Sequence, residues 1–239
     1  MSVFWQRLQY CPPYWAVIIN PNFIIRRGLY VAIKRFTALV GNRMMDFGAG
    51  SAPYRHLFKC AEYITVDIEG SGHPQGKKVA TVYYDGKSLP FPDGHFDFIF
   101  SAEVLEHVFN VDEVLGELNR VLRPDGRILL TTPFVWVEHE QPYDFARYSS
   151  FGLKHLLERH GFEIEEFVKT TGYIETMFQL GIVYLSELGL VRKFKLIKLF
   201  MTIVVFAPLQ IFGILLTLLL PRNDTLYLNN VVVASVRAQ

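Results

Sequence analysis

The run Met44-Met45-Asp46-Phe47-Gly48-Ala49-Gly50 limits the folds open to this chain more than any other segment. A short stretch of strand character passes directly into a turn with glycine at two of its three positions. A second such stretch, Tyr63-Ile64-Thr65-Val66, ends in Asp67, 17 residues beyond Gly50. Open α/β sheets bind ligands at the carboxyl ends of their strands, where glycine lets a ligand approach the backbone. Five further strands are predicted, at Val79–Tyr84, Phe96–Phe100, Ile128–Thr132, Phe162–Val168 and Asn230–Val236. Helical patterns lie between them. Val111, Val114, Leu115, Leu118, Val121 and Leu122 keep one-face spacing along a helix from about Asp112, which Arg123-Pro124-Asp125-Gly126 ends. Ser149 is placed to cap a helix carried by Leu153, Leu156 and Leu157 and stopped at Gly161. Pro53 is placed to open a helix after the glycine turn, where its missing N–H costs nothing. Strands alternating with helices predict an α/β fold, a doubly wound, Rossmann-like sheet of seven strands.

The turn also bears on the ligand. A dinucleotide fold carries a third glycine three residues after the second, for close packing over the pyrophosphate. Pro53 occupies that position, so the turn suits a nucleoside without phosphates. A carboxylate at Asp67 can accept both hydroxyls of its ribose.

Over about residues 40–170 the chain resembles the class I S-adenosylmethionine-dependent methyltransferases of the type 11 group. The resemblance rests on Met45-Asp46-Phe47-Gly48-Ala49-Gly50-Ser51-Ala52-Pro53-Tyr54, on Tyr63–Asp67, and on Asp85 ahead of Leu89-Pro90-Phe91-Pro92-Asp93-Gly94-His95-Phe96-Asp97. It continues through Ser101–Val108 and Glu117–Gly126, in the family's order and spacing. The departure is Ala52, where some members have another glycine. The resemblance implies S-adenosylmethionine as cofactor. Gly48, Ala49 and Gly50 would lie against its methionine part, with Asp46 near the amino group. Asp67, with Ile68 beside it, would meet the ribose, Asp85 the adenine amine, and Ser101 the cofactor's flank. Such folds close with an antiparallel seventh strand, here Asn230–Val236.

Methyl transfer from a sulfonium asks the protein mainly to align an O, N or C nucleophile, and alignment can be worth ~7–11 kcal/mol. The connection after strand 5, Phe134–Tyr148, is too long for a plain linker and is expected to form the acceptor pocket. His139 is the expected general base, with Tyr143 and Asp144 as helpers; the alternative is that Asp144 and Arg147 pair to hold the loop. Glu103, Glu106 and His107, at i, i+3 and i+4, would share one helical face. They are read as packing or capping residues with no metal; His139 is the obvious extra ligand were one to bind.

Composition locates a second feature. The chain has 24 basic and 23 acidic residues, a balance that disfavours nucleic acid as a partner. Two cysteines, Cys11 and Cys60, exclude a disulfide scaffold and a Cys-rich zinc site. Five bases (Arg192, Lys193, Lys195, Lys198 and Arg222) lie within 188–222, where there is no acid, and Leu199–Leu220 has no charge at all. A true span there would strand the last β-strand on the far side. The expectation is therefore an apolar helical insertion between strands 6 and 7 that returns to the sheet, divided at Pro208 and Gly213 into two helices too short to cross. Its bases would sit at a membrane surface; a dimer interface and a full span are the alternatives. The short apolar stretch Trp15–Ile19 is bounded by prolines and does not resemble a signal peptide, so the bulk of the chain is expected in the cytoplasm, peripheral to the membrane. The expected organisation is a helical lead-in (1–40), a core (41–171), the insertion (172–224) and the last strand (225–239). The function implied is methyl transfer to a small or lipid- or glycan-linked acceptor; the alternative is a non-catalytic scaffold that keeps the fold.

Overall fold

A computed structural model describes residues 3–68 and 79–237. The chain forms two compact units, Met1–Ala32 with Lys169–Asn229, and Ile33–Val168 with Asn230–Gln239.

The second unit holds a seven-stranded sheet in the order β3-β2-β1-β4-β5-β7-β6. Its strands are β1 (Arg43–Phe47), β2 (Glu62–Ile68), β3 (Val82–Tyr84), β4 (Phe96–Ala102), β5 (Leu122–Pro133), β6 (Phe162–Lys169) and β7 (Asn229–Val236). β1 pairs in parallel with β2 (Asp46 opposite Thr65) and with β4 (Phe47 opposite Ser101). The order reverses at β1, which makes the β1/β4 edge the switch point. β7 is antiparallel, as expected. The Thr170 amide donates to Asn229 at one end of the β6/β7 pair, and the Arg237 amide to Gly161 at the other.

The sequence explains the packing. On α3 (Val111–Val121) the buried residues are Val114, Leu115, Leu118 and Val121, the apolar stripe of an amphipathic helix. Leu153 and Leu157 do the same on α4 (Ser150–Arg159), whose first turn Ser149 caps by accepting the Gly152 amide at 3.1 Å. These helices pack on Met45, Phe47, Ile99, Leu130 and Val232 of the sheet. Full burial of each such side chain is worth roughly 1.5–3 kcal/mol.

One expected helix is missing. After β1 the chain makes only a 3-10 turn, Arg55–Leu57, and Pro53 opens nothing longer. Two aromatic residues fill that face instead: the Tyr54 and Phe58 rings stand 5.8 and 4.8 Å from Phe100. Strand 3 is also shorter than predicted, because Val79 and Thr81 hydrogen-bond to Gly50 and Thr65 outside the regular ladder.

The first unit is helical. It contains α1 (Val3–Tyr10), most of α2 (Phe23–Phe36), α5 (Tyr173–Ser186), α6 (Gly189–Lys193), α7 (Lys195–Met201) and α8 (Ala207–Leu219). A π-turn at Thr202–Phe206 joins α7 to α8, so Lys195–Leu219 is one continuous helix of 25 residues. This corrects the expected division at Pro208 and Gly213. The π-turn precedes Pro208 and absorbs its missing donor. Gly213 is a point of close approach: a Cβ there would meet the Phe178 ring at 2.7 Å, and α5 packs on α8 through it. Two buried glutamines tie this hairpin to the N-terminal segment. Gln179 donates to the Pro21 carbonyl and accepts from Ile25, while Gln210 donates to Val17 and Asn20.

Candidate cofactor and acceptor site

The carboxyl ends of β1, β2 and β4 gather most of the predicted cofactor residues. Gly48 and Gly50 both adopt left-handed backbone, at φ +68° and +52°. Only glycine does so freely. A Cβ on Gly48 would meet Val104 at 2.4 Å, whereas a Cβ on Gly50 would meet nothing within 4 Å among the described residues. The turn is fastened to β2 by Gly48 and Ala49 amides donating to the Val66 carbonyl. The Gly50 amide donates to Asp67 Oδ2 at 3.0 Å, and the Ile68 amide to Oδ1 at 2.8 Å. Asp67 is thus a buried acceptor held in one orientation. Ser101, at the end of β4, is buried, and among the described residues its hydroxyl has no hydrogen-bond partner. An orphaned hydroxyl beside an open turn fits a ligand that supplies a polar group there.

Asp46 is buried and accepts from the Tyr63 hydroxyl at 2.5 Å. Burial pushes its carboxyl up to about 7; the neighbouring Asp67 adds to the rise, and the Tyr63 bond and Arg55 oppose it. Tyr63 was not anticipated as a site residue. The parallel register puts it opposite Met44, two residues before Asp46, within a side chain's reach. Asp85 is exposed, and its Oδ1 accepts the Lys87 and Ser88 amides in a local turn that holds its carboxyl below the usual range.

The loop after β5 is fixed by charge. Asp144 accepts two bonds from Arg147, at 2.5 and 2.7 Å, and the His139 amide at 2.9 Å. The guanidinium holds its carboxyl down at about 2. A carboxylate so weakly basic and so fully engaged anchors the loop, which is the alternative weighed for this pair. Tyr143 is 45% exposed, and its backbone carbonyl, not its ring, engages the site by receiving His107 Nδ1 at 2.6 Å. The Phe145 amide docks the loop on the Glu106 carbonyl at 2.8 Å. His139 is half-buried, and burial, with His107 beside it, lowers its pKa. It is therefore a neutral imidazole at neutral pH.

Glu103, Glu106 and His107 do not share a helical face. Glu103 sits in left-handed backbone at φ +56° and accepts from Thr131 at 2.7 Å, while Leu105–His107 is a 3-10 turn. Glu106 and His107 instead meet His139: donor atoms of all three lie within 4.8 Å of one another. Burial raises the Glu106 carboxyl well above the usual range, and the Glu103 charge adds to the rise.

Comparison with known proteins agrees with this geometry. Residues 45–130 match the family model described as a methyltransferase domain. The ubiquinone/menaquinone biosynthesis C-methyltransferase of Pseudomonas paraeruginosa is 31% identical over 129 residues, covering 46% of this chain and 50% of that protein. The chain thus spans about half the length of the curated relatives it matches. An S-adenosylmethionine-dependent methyltransferase of Mesorhizobium loti superposes with a TM-score of 0.52 at 15% identity, over 87% of this chain and 97% of that one. Phosphoethanolamine N-methyltransferase 2 of Haemonchus contortus, in complex with S-adenosyl-L-methionine, superposes at 0.53 and 18% identity, over 100% of this chain and 60% of that one. The glycine turn and its acid therefore lie in a segment, 45–130, that is similar to the methyltransferase domain family, and the sheet that carries them has the fold of solved S-adenosylmethionine-dependent methyltransferases.

Proposed function

We propose that the protein transfers a methyl group from S-adenosylmethionine to an O, N or C of a small or lipid- or glycan-linked acceptor, and that it works at a membrane surface. The cofactor would lie over Gly48, Ala49 and Gly50. Its ribose hydroxyls would meet Asp67 beside Ile68, and its amino group Asp46. Ser101 would flank it, and Asp85 would reach the adenine amine through the oxygen its turn leaves over. The single observation that carries this reading is the pairing of a pinned Asp67 with a Gly50 whose Cβ position has nothing within 4 Å among the described residues. On the acceptor side His139 is the base: its Nδ1 faces the Val137 carbonyl at 3.3 Å, so its Nε2 keeps a lone pair for a proton. Tyr143 lies within the same loop, and Asp144 serves by holding it.

The first unit supports the membrane half of the reading. Lys195–Leu219 is about 37 Å long at 1.5 Å per residue, and only 28% of its most apolar stretch is buried. Leu196, Phe200, Phe212 and Leu218 are exposed along it, with Trp5 and Trp15 exposed in the same unit. The similarity to a quinone C-methyltransferase fits an apolar acceptor. The test is a screen with labelled methyl donor over membrane and soluble extracts, paired with fractionation. Label on a membrane-extracted acceptor, with protein in the membrane fraction, is expected. Protein wholly in the soluble fraction at low salt without detergent would sink the membrane half. A parent protein that binds no S-adenosylmethionine would leave only the scaffold alternative.

A further inference from the structure

We infer that Glu106, His107 and His139 form a binding site for a divalent transition-metal ion. Their donor atoms lie within 4.8 Å of one another. The Glu106 side chain is fully buried, and among the described residues neither carboxylate oxygen has a hydrogen-bond partner. A buried carboxylate without donors is costly, and a cation is the simplest group that satisfies it. His107 Nε2 stands 3.8 Å from its Oε1.

The two imidazoles are oriented as metal ligands are. His107 Nδ1 faces the Tyr143 carbonyl at 2.6 Å, so it carries the hydrogen and Nε2 is left bare. His139 Nδ1 faces the Val137 carbonyl and Asp144 Oδ2, each at 3.3 Å, which leaves its Nε2 bare as well. A carbonyl or carboxylate accepting from the far nitrogen is the arrangement that fixes the tautomer of a ligating histidine. The ring centroids are 4.7 Å apart. Glu140, with Oε2 3.9 Å from His107 Nε2, adds negative charge nearby, and the Arg147 charge acts on Glu106 as well. Metal bonds of about 2.0–2.2 Å set tetrahedral donors about 3.4 Å apart, so the loop bearing His139 must draw in by about an ångström.

Two nitrogens and one oxygen favour zinc, cobalt, iron or manganese over magnesium or calcium. Three protein ligands leave a coordination position open to water or to an acceptor oxygen. An ion here takes up the lone pair that the proposed base would use, so metal binding by the parent chain would make His139 a ligand and withdraw it from the base role.

The test uses the full chain, stripped with chelator and dialysed, then titrated with Co2+ followed by visible absorption and with Zn2+ by calorimetry. One ion per chain is expected, with cobalt bands of low coordination number. His139→Ala and His107→Ala should each weaken binding about tenfold or more while cofactor affinity is retained. Glu106→Gln should do the same if it folds; His139 sits in a half-exposed loop, so its variant keeps the test open if Glu106→Gln does not. No saturable binding below millimolar by the parent would overturn the inference. So would a His139→Ala variant that binds as tightly as the parent. Neither result depends on methyl transfer.

Discussion

Gly48→Ala and Gly50→Ala separate the structural work of the turn from its binding work. Both glycines have positive φ, so alanine costs about 1–2 kcal/mol of backbone strain at either position. The side-chain environments differ. At position 48 the new methyl meets Val104 Cγ2 at 2.4 Å and Cγ1 at 2.7 Å, and one of them must move. Overpacking of that kind adds typically 1–3 kcal/mol, for a total of roughly 2–5 kcal/mol. At position 50 nothing among the described residues lies within 4 Å, so strain is the cost they set. For a chain of this size each kcal/mol lowers the melting temperature by roughly 2–4 °C. Gly50→Ala should therefore melt about 2–8 °C below the parent, and Gly48→Ala clearly lower still. Cofactor affinity should follow the opposite order. The Gly50 methyl enters the space assigned to S-adenosylmethionine and should weaken binding at least tenfold at a temperature where the variant is fully folded. Calorimetric unfolding and titration with S-adenosylmethionine read the two quantities. Gly48→Ala as stable as Gly50→Ala, or Gly50→Ala with parental affinity, would refute the reasoning.

Other expectations follow from the same contacts. Asp46, with its carboxyl raised to about 7 from an unfolded value near 3.8, gives the folded state an extra proton between those values. Stability of the cofactor-free protein should be fullest below about pH 4 for this group and fall as pH rises through 7, an effect on the order of 4 kcal/mol that Asp46→Asn should remove from a pH series of denaturant melts. Cofactor binding near pH 7 should release a proton as the ammonium draws Asp46 into its charged form, seen as a buffer-dependent enthalpy. Arg147→Met leaves the Asp144 carboxylate inside the loop with no cation and should cost about 3 kcal/mol or more, with acceptor turnover lost and cofactor affinity kept. Reversing Lys193, Lys195 and Lys198 to Glu should weaken binding to anionic vesicles by about 3 kcal/mol or more, since each base near the surface is worth about 1 kcal/mol; unchanged cosedimentation would count against the membrane reading.

Most of the sheet was legible because strand patterning and turn chemistry agree. Five of its strands begin within one residue of Met44, Tyr63, Phe96, Phe162 and Asn230, as predicted, whereas pairing starts β5 at Leu122, six residues before Ile128. The cofactor turn was legible for the same reason: Gly48, Gly50 and Asp67 are local in sequence, and one parallel register joins them. What failed depended on partners distant in sequence. Pro53 reads as a helix opener until Tyr54 and Phe58 are seen filling the face against Phe100. Gly213 reads as a breaker until Phe178 is seen packed on it. Glu103 was assigned a helical neighbour's place beside Glu106, and a left-handed φ sends it to Thr131 instead. The Asp144–Arg147 pair, by contrast, is local and already stands among the sequence alternatives; the fold adds the His139 amide to it.

Titration calorimetry of S-adenosylmethionine into the parent chain and into Asp67→Ala tests the central claim most directly. One site per chain in the parent, weakened by two orders of magnitude or lost in a variant that melts cooperatively, is the predicted result. A parent that binds no S-adenosylmethionine, or an Asp67→Ala variant with parental affinity, would contradict it.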